Sequence, residues 1–111
     1  MTVRYAAPEV IGAFQRGVAL DRAAFLPADV YSAAVMLLEC LTRAVPWPNM
    51  DMQGIVSAVQ AGSRPSTSAL SPDMGDLVHA SWQTDAGQRP SAGALRQRCV
   101  MFFVAAGGLG Q

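Results

Sequence analysis

Apolar positions along the chain group into four helical stretches, and none alternates with the period of two that marks a half-buried strand. Residues 28–43 form the first. Val30, Tyr31, Val35, Met36, Leu37, Leu38 and Leu41 fall on all its faces, so it is predicted to be buried on most sides. Val45-Pro46-Trp47-Pro48 stops it, because proline cannot continue the backbone ladder. The second stretch starts near Asp51 and carries Met52, Ile55, Val56 and Val59 at i, i+3, i+4 and i+7. Gly62 stands where a left-handed terminating residue is wanted. Residues 64–70 make a Ser/Thr/Pro loop. The third stretch opens on Ser71 as cap and Pro72 at the first helical position, with Met74, Leu77, Val78 and Trp82 as its stripe. The fourth follows Pro90, with Ser91 as cap and Leu95, Cys99, Phe102 and Phe103 along one face. Ahead of these, residues 1–9 read as loop, Pro8-Glu9-Val10-Ile11 as the start of a short helix, and residues 12–27 as mostly loop. The tail at 105–111 is Gly-rich and is expected to fray. The pattern predicts an all-α fold around one central helix.

Composition sharpens this picture. The chain has 111 residues, suited to one domain or a piece of one. Its hydrophobic fraction is 51% and its charged fraction 14%, against about 25% charged in a typical soluble domain. Such a chain is not disordered, and it is expected to carry surface that a larger protein would bury. The formal net charge is zero and there is no basic run, so neither nucleic acid nor an anionic membrane is an expected partner. Cys40 and Cys99 form no CxxC pair and sit in apolar helical stretches, which predicts buried free thiols. The N-terminus lacks a basic flank followed by an apolar core. The longest unbroken apolar run, 100–106, is far short of the roughly 20 residues that span a bilayer. An intracellular, cytoplasmic setting is the expectation.

The usual enzyme signatures are missing. His79 is the only histidine, so no His-cluster metal site is expected and a Ser/His or Cys/His arrangement has one candidate at most. A lone helical histidine reads as a surface or packing residue. Gly107-Gly108-Leu109-Gly110 has no helix after it to supply a phosphate-binding end. The acidic residues are scattered. On chemistry alone, no catalytic, cofactor-binding or metal residue is expected in this chain.

The order of short motifs says more. Thr2-Val3-Arg4-Tyr5-Ala6-Ala7-Pro8-Glu9 resembles the end of a protein kinase activation segment, with its Ala-Pro-Glu signature. Asp29-Val30-Tyr31-Ser32 resembles the start of the large central helix of the kinase C-lobe. Leu41-Thr42-Arg43-Ala44-Val45-Pro46-Trp47 resembles the end of that helix and the turn after it. Gly62-Ser63-Arg64-Pro65 is similar to the next link, and Trp82, Asp85 and Arg89-Pro90-Ser91 to the closing signature. Five motifs in order, covering 2–99, resemble the protein kinase family. The best fit is the tyrosine-kinase-like group, whose members mostly phosphorylate Ser and Thr.

The resemblance implies a partial kinase C-lobe over residues 1–104, with a Gly-rich tail at 105–111. It implies substrate-loop positions at Thr2, Ala7 and Pro8. It implies a buried ion pair between Glu9 and Arg89, an aspartate at Asp29 that holds the catalytic loop from below, and packing roles for Trp47 and Trp82. Asp29 could instead simply cap its helix. The parent activity would be ATP-dependent phosphorylation of protein Ser/Thr, with ATP and Mg as the parent's cofactors and a protein as substrate. The departures are as informative. Phosphoryl transfer needs a Gly-rich loop, a strand lysine, a catalytic-loop Asp and Asn and a metal-binding Asp-Phe-Gly, all ahead of the Ala-Pro-Glu signature. Only eight residues precede Glu9. Met1 replaces the usual glycine, and Ala33-Ala34 stands where Phe-Gly is common. The missing N-terminal half of the kinase domain is thus an implied partner. The alternatives are a non-catalytic helical interaction module, a truncated pseudokinase-like product, or an incomplete gene model.

Overall fold

The structure is a computed structural model and describes residues 3–105. Five α-helices follow one another: α1 (Pro8–Arg16), α2 (Phe25–Thr42), α3 (Met52–Gln60), α4 (Pro72–Ser81) and α5 (Ala92–Ala105). Short 3-10 turns at Val3–Tyr5, Arg22–Ala24 and Ala86–Gln88 punctuate them, and no strand occurs among the described residues. The fold is all-α, with α2 in contact with α4, α5 and the Val3–Tyr5 turn.

Local chemistry sets the helix ends. The Asp51 carboxylate accepts the Gly54 amide at 2.8 Å and starts α3. Ser71 and Ser91 hydroxyls accept the Met74 and Ala94 amides at 3.3 and 3.0 Å. Each satisfies one of the amides that a helix start leaves without a partner. Gly62, at φ 91°, turns the chain out of α3 while the Ser63 amide returns to the Ala58 carbonyl at 2.8 Å.

Two boundaries differ from the sequence pattern. Residues 12–16 are helical, not loop: α1 runs on to Arg16 and ends at Gly17, at φ 67°. Gly12 looks like a breaker in sequence, yet it is buried inside α1, and a Cβ there would sit 2.9 Å from the Arg16 guanidinium. The central helix begins at Phe25, three residues early. Pro27 falls in its first turn, where an amide has no intrahelical partner to lose. Asp29 is therefore inside α2 and exposed, and it is not the cap of that helix.

Two apolar clusters are built on α2 and a third lies beside them. Ala28, Tyr31, Ala34, Val35 and Leu38 pack with Ala7, Val78 and Trp82. Val30 packs with Met74, Leu77 and Leu95. Ala6, Ile11, Trp47, Ile55 and Val59 form a third cluster between α1 and α3. The opposite side of α2 is open: Phe25, Leu26 and Met36 are exposed, and Leu41 is exposed at the helix's C-terminal end. The thiols also depart from expectation. Both are free, but Cys40 is exposed on α2 and Cys99 is half-buried, its thiol pushed up by burial. The helical stretch Arg22–Thr42 has the length and mean hydropathy, 1.5, of a membrane span, a property that the unbroken-run count does not register. A third of it (33%) is buried by the packing just described.

Candidate functional site

Two groups of polar contacts that do not serve helix ends lie against α2. The first is built on two arginines that each precede a proline. Proline disfavours the helical conformation in the residue before it, so Arg89 sits extended at φ −79°, ψ 148° with its side chain turned inward. Its guanidinium grips the Glu9 carboxylate with both ends: Nη1 donates to Oε2 at 2.6 Å and Nη2 to Oε1 at 2.8 Å. Nε donates to the Gln83 carbonyl and Nη1 also to the Pro27 carbonyl, both at 2.9 Å. The Arg89 side chain is fully enclosed (0% exposed) and that of Glu9 is 24% exposed. A buried cation at this depth is tolerable because every nitrogen has a partner. One side chain thus joins α1, the start of α2 and the segment after α4.

Arg64 mirrors it. Its Nε donates to the Trp82 carbonyl at 2.9 Å, Nη1 to the Ser63 carbonyl at 2.7 Å, and Nη2 to Thr84 Oγ1 at 3.1 Å. Both guanidinium carbons stand 5.2 Å from the centre of the Tyr31 ring, a doubly cationic aromatic contact. Burial holds the Arg64 guanidinium below its ordinary value and pushes the Tyr31 phenol up, against the opposing pull of both arginines.

The second group lies in the segment ahead of α1. Arg4 donates from Nη1 to the Pro46 and Trp47 carbonyls, both at 2.7 Å, and from Nη2 to the Met50 carbonyl at 3.3 Å. That loop needs the support, because Arg43, Trp47 and Asn49 all take positive φ, at roughly 1–2 kcal/mol per non-glycine residue. The Tyr5 hydroxyl donates to Glu39, and Ser32 Oγ donates to the Tyr5 carbonyl at 2.7 Å. The Glu39 hydrogen bond first, and burial second, push the Tyr5 phenol up.

Thr2 lies outside the described residues. Ala7 and Pro8 are buried, Ala7 completely, so the surface of this segment comes from Val3, Arg4 and Tyr5. Trp47 and Trp82 are buried in separate clusters. Asp29 lines a cavity of about 430 Å3 with Tyr5, Ala6 and Ser32. Sequence reasoning read Tyr31 only as a buried apolar residue of the central helix and gave no role to Arg64, Arg4 or the Tyr5–Glu39 contact. The paired Arg-Pro dipeptides were the one available signal. An apolar groove of about 540 Å3 runs between α1 and α3, lined by Val3, Ile11, Phe14, Met52 and Val56. Among the described residues, no group of three His, Cys, Asp or Glu could hold a metal ion. The arrangement can clamp chain segments together.

Comparison with known proteins agrees with the order of motifs. The family model described as protein kinase domain matches residues 1–101. The serine/threonine-protein kinase STY46 of Arabidopsis thaliana is 35% identical over 91 residues, 80% of this chain. The human ankyrin repeat and protein kinase domain-containing protein 1 is 36% identical over 69 residues, 56% of this chain. The MAP kinase kinase kinase wis4 of Schizosaccharomyces pombe is 30% identical over 95 residues, 82% of this chain. The chain spans only 14%, 9% and 6% of the length of those three proteins. With a family model that covers nearly all of its length and an all-helical architecture to match, this chain belongs to the protein kinase domain family, as a portion of the large lobe.

Proposed function

We propose that this chain is the closing part of a Ser/Thr protein kinase domain of the tyrosine-kinase-like group, and that by itself it neither binds ATP nor transfers phosphate. The observation that carries the reading is the bidentate Glu9–Arg89 clamp. It fastens the Ala-Pro-Glu segment to the region before α5, on the inner side of an apolar helix whose outer side is open. A free-standing domain of this size has little reason to leave Phe25, Leu26, Met36 and Leu41 in water. The preceding half of a kinase domain is the fitting cover. In the complete domain the chain supplies the protein-substrate side through the Val3–Tyr5 turn and α3, while ATP and Mg bind to residues that this sequence does not contain.

Thermal denaturation with increasing Mg-ATP, together with a transfer assay on a general acceptor protein, tests it. The expected result is no shift and no acceptor phosphorylation. Specific stabilisation or transfer by pure material would overturn the reading. One observation favours the non-catalytic helical module instead: among the described residues, no buried side-chain nitrogen or oxygen lacks a hydrogen-bond partner. That reading predicts a monomer that melts sharply and binds no dye for exposed apolar surface.

A further inference from the structure

We propose that His79 is a proton-sensitive latch that holds the 63–70 linker against α4. The geometry fixes which nitrogen of the ring carries the hydrogen. The Trp82 indole Nε1 can only donate, and it lies 3.1 Å from His79 Nδ1. Nδ1 must therefore be bare, so the hydrogen of the neutral ring is on Nε2. Nε2 lies 2.9 Å from Thr67 Oγ1, which accepts it. The same assignment removes a tempting alternative. A threonine hydroxyl beside a histidine suggests a nucleophile and its base, but Nε2 has no free lone pair with which to take the threonine proton.

A second proton on this ring has to go to Nδ1, where it meets the indole N–H head on. The indole cannot yield, because Trp82 is enclosed in the cluster with Ala7, Tyr31 and Val78. His79 is exposed and can yield. The charged groups around it favour the same movement. Asp76, one turn earlier on α4 and exposed, attracts an imidazolium. Arg64, from the linker, repels it across a polar cavity of about 180 Å3 that both side chains line. From the segment toward α5, Gln83 and Thr84 are neutral, and the Asp85 carboxylate is engaged with the Gly87 amide at 2.9 Å. As the ring leaves Trp82 it takes Nε2 from Thr67, the tie between the middle of the linker and α4, while Arg64 and Leu70 still hold the linker's two ends.

The test uses the 111-residue chain and follows the Trp82 indole N–H resonance, the His79 ring resonances and thermolysin cleavage within 63–70. The pH runs from about 8 to about 5, where histidine is the side chain that ordinarily changes charge. In the unmodified chain the indole and imidazole signals should move with one midpoint, and cleavage should rise about fivefold, as for the loss of one hydrogen bond. His79→Asn keeps an acceptor at the Nδ1 position and does not titrate. Its indole signal should stay flat, and because it has no counterpart of Nε2 to hold Thr67, its cleavage should be raised and independent of pH. His79→Phe fills the ring space without an acceptor and should be cleaved at the raised rate at both ends of the range. An indole signal that ignores the titration of His79, or a cleavage response in His79→Asn equal to that of the unmodified chain, overturns the proposal.

Discussion

The two sides of α2 obey different rules. On the inner side every buried side-chain nitrogen and oxygen among the described residues has a partner: Arg89 spreads four hydrogen bonds over Glu9, Gln83 and Pro27, and Tyr31 lies between two guanidinium groups. On the outer side, Leu26 is 68% and Met36 55% exposed, with nothing across from them among the described residues. The inner side is a finished interior, and the outer one has the composition of an interior without the packing. The contrast teaches that satisfied polar groups and covered apolar ones are separate matters. On the proposed reading, the clamp locks the segments that this chain supplies, and the preceding half of the domain covers the open side of α2.

The contrast breaks most readily at the clamp. Glu9→Ala or Arg89→Ala leaves one charge enclosed without its partner, and each should cost about 3–5 kcal/mol. Denaturant unfolding should show the double variant costing less than the sum of the singles, because the partners touch. Next in size is Tyr31→Leu, which removes a ring between two cations and part of the core, at about 2–3 kcal/mol. Tyr31→Phe keeps the ring and should cost less.

Alkaline pH probes the same ring more gently. Burial raises the Tyr31 phenol in the folded chain. The stability it contributes is therefore fully present below the unfolded value of about 10 and is lost as pH rises through the folded value. The Tyr5 phenol is raised as well, so the comparison belongs in a Tyr5→Phe background. There, melting above pH 10 should fall more steeply with Tyr31 present than in Tyr31→Phe. The smallest stability effect is expected on the open side. Leu26→Glu and Met36→Glu should each change the unfolding free energy by no more than about 0.5 kcal/mol.

Much of this was legible in the sequence, for physical reasons. Ser71-Pro72, Ser91 and Asp51 announce helix starts because their side chains serve amides a few residues away, a purely local matter. The beginning of α2 was not legible, because Pro27 reads as a barrier wherever it stands and only the structure puts it in a first turn. The extent of α1 was hidden by Gly12, whose buried position depends on Arg16 one turn away. Glu9 and Arg89 are 80 residues apart, and only the resemblance of motifs suggested that they meet. Tyr31 was legible as a buried apolar residue and Arg64 only as part of a motif, since a guanidinium over a ring 33 residues away leaves no mark on periodicity. The exposure of Cys40 escaped for the same reason that the openness of α2 did. An apolar helix says that it wants to be covered, and its sequence does not say whether its own chain does the covering.

The central claim is that α2 is finished on one side and open on the other, and sedimentation of the chain over a wide concentration range tests it most directly. The unmodified chain should self-associate as concentration rises and should bind a dye for exposed apolar surface. The Leu26→Glu, Met36→Glu double variant should stay monomeric, bind little dye and melt within a few degrees of the parent. An unmodified chain that remains a single monomer at high concentration, melts sharply and binds no dye would contradict the account and establish a self-sufficient helical module.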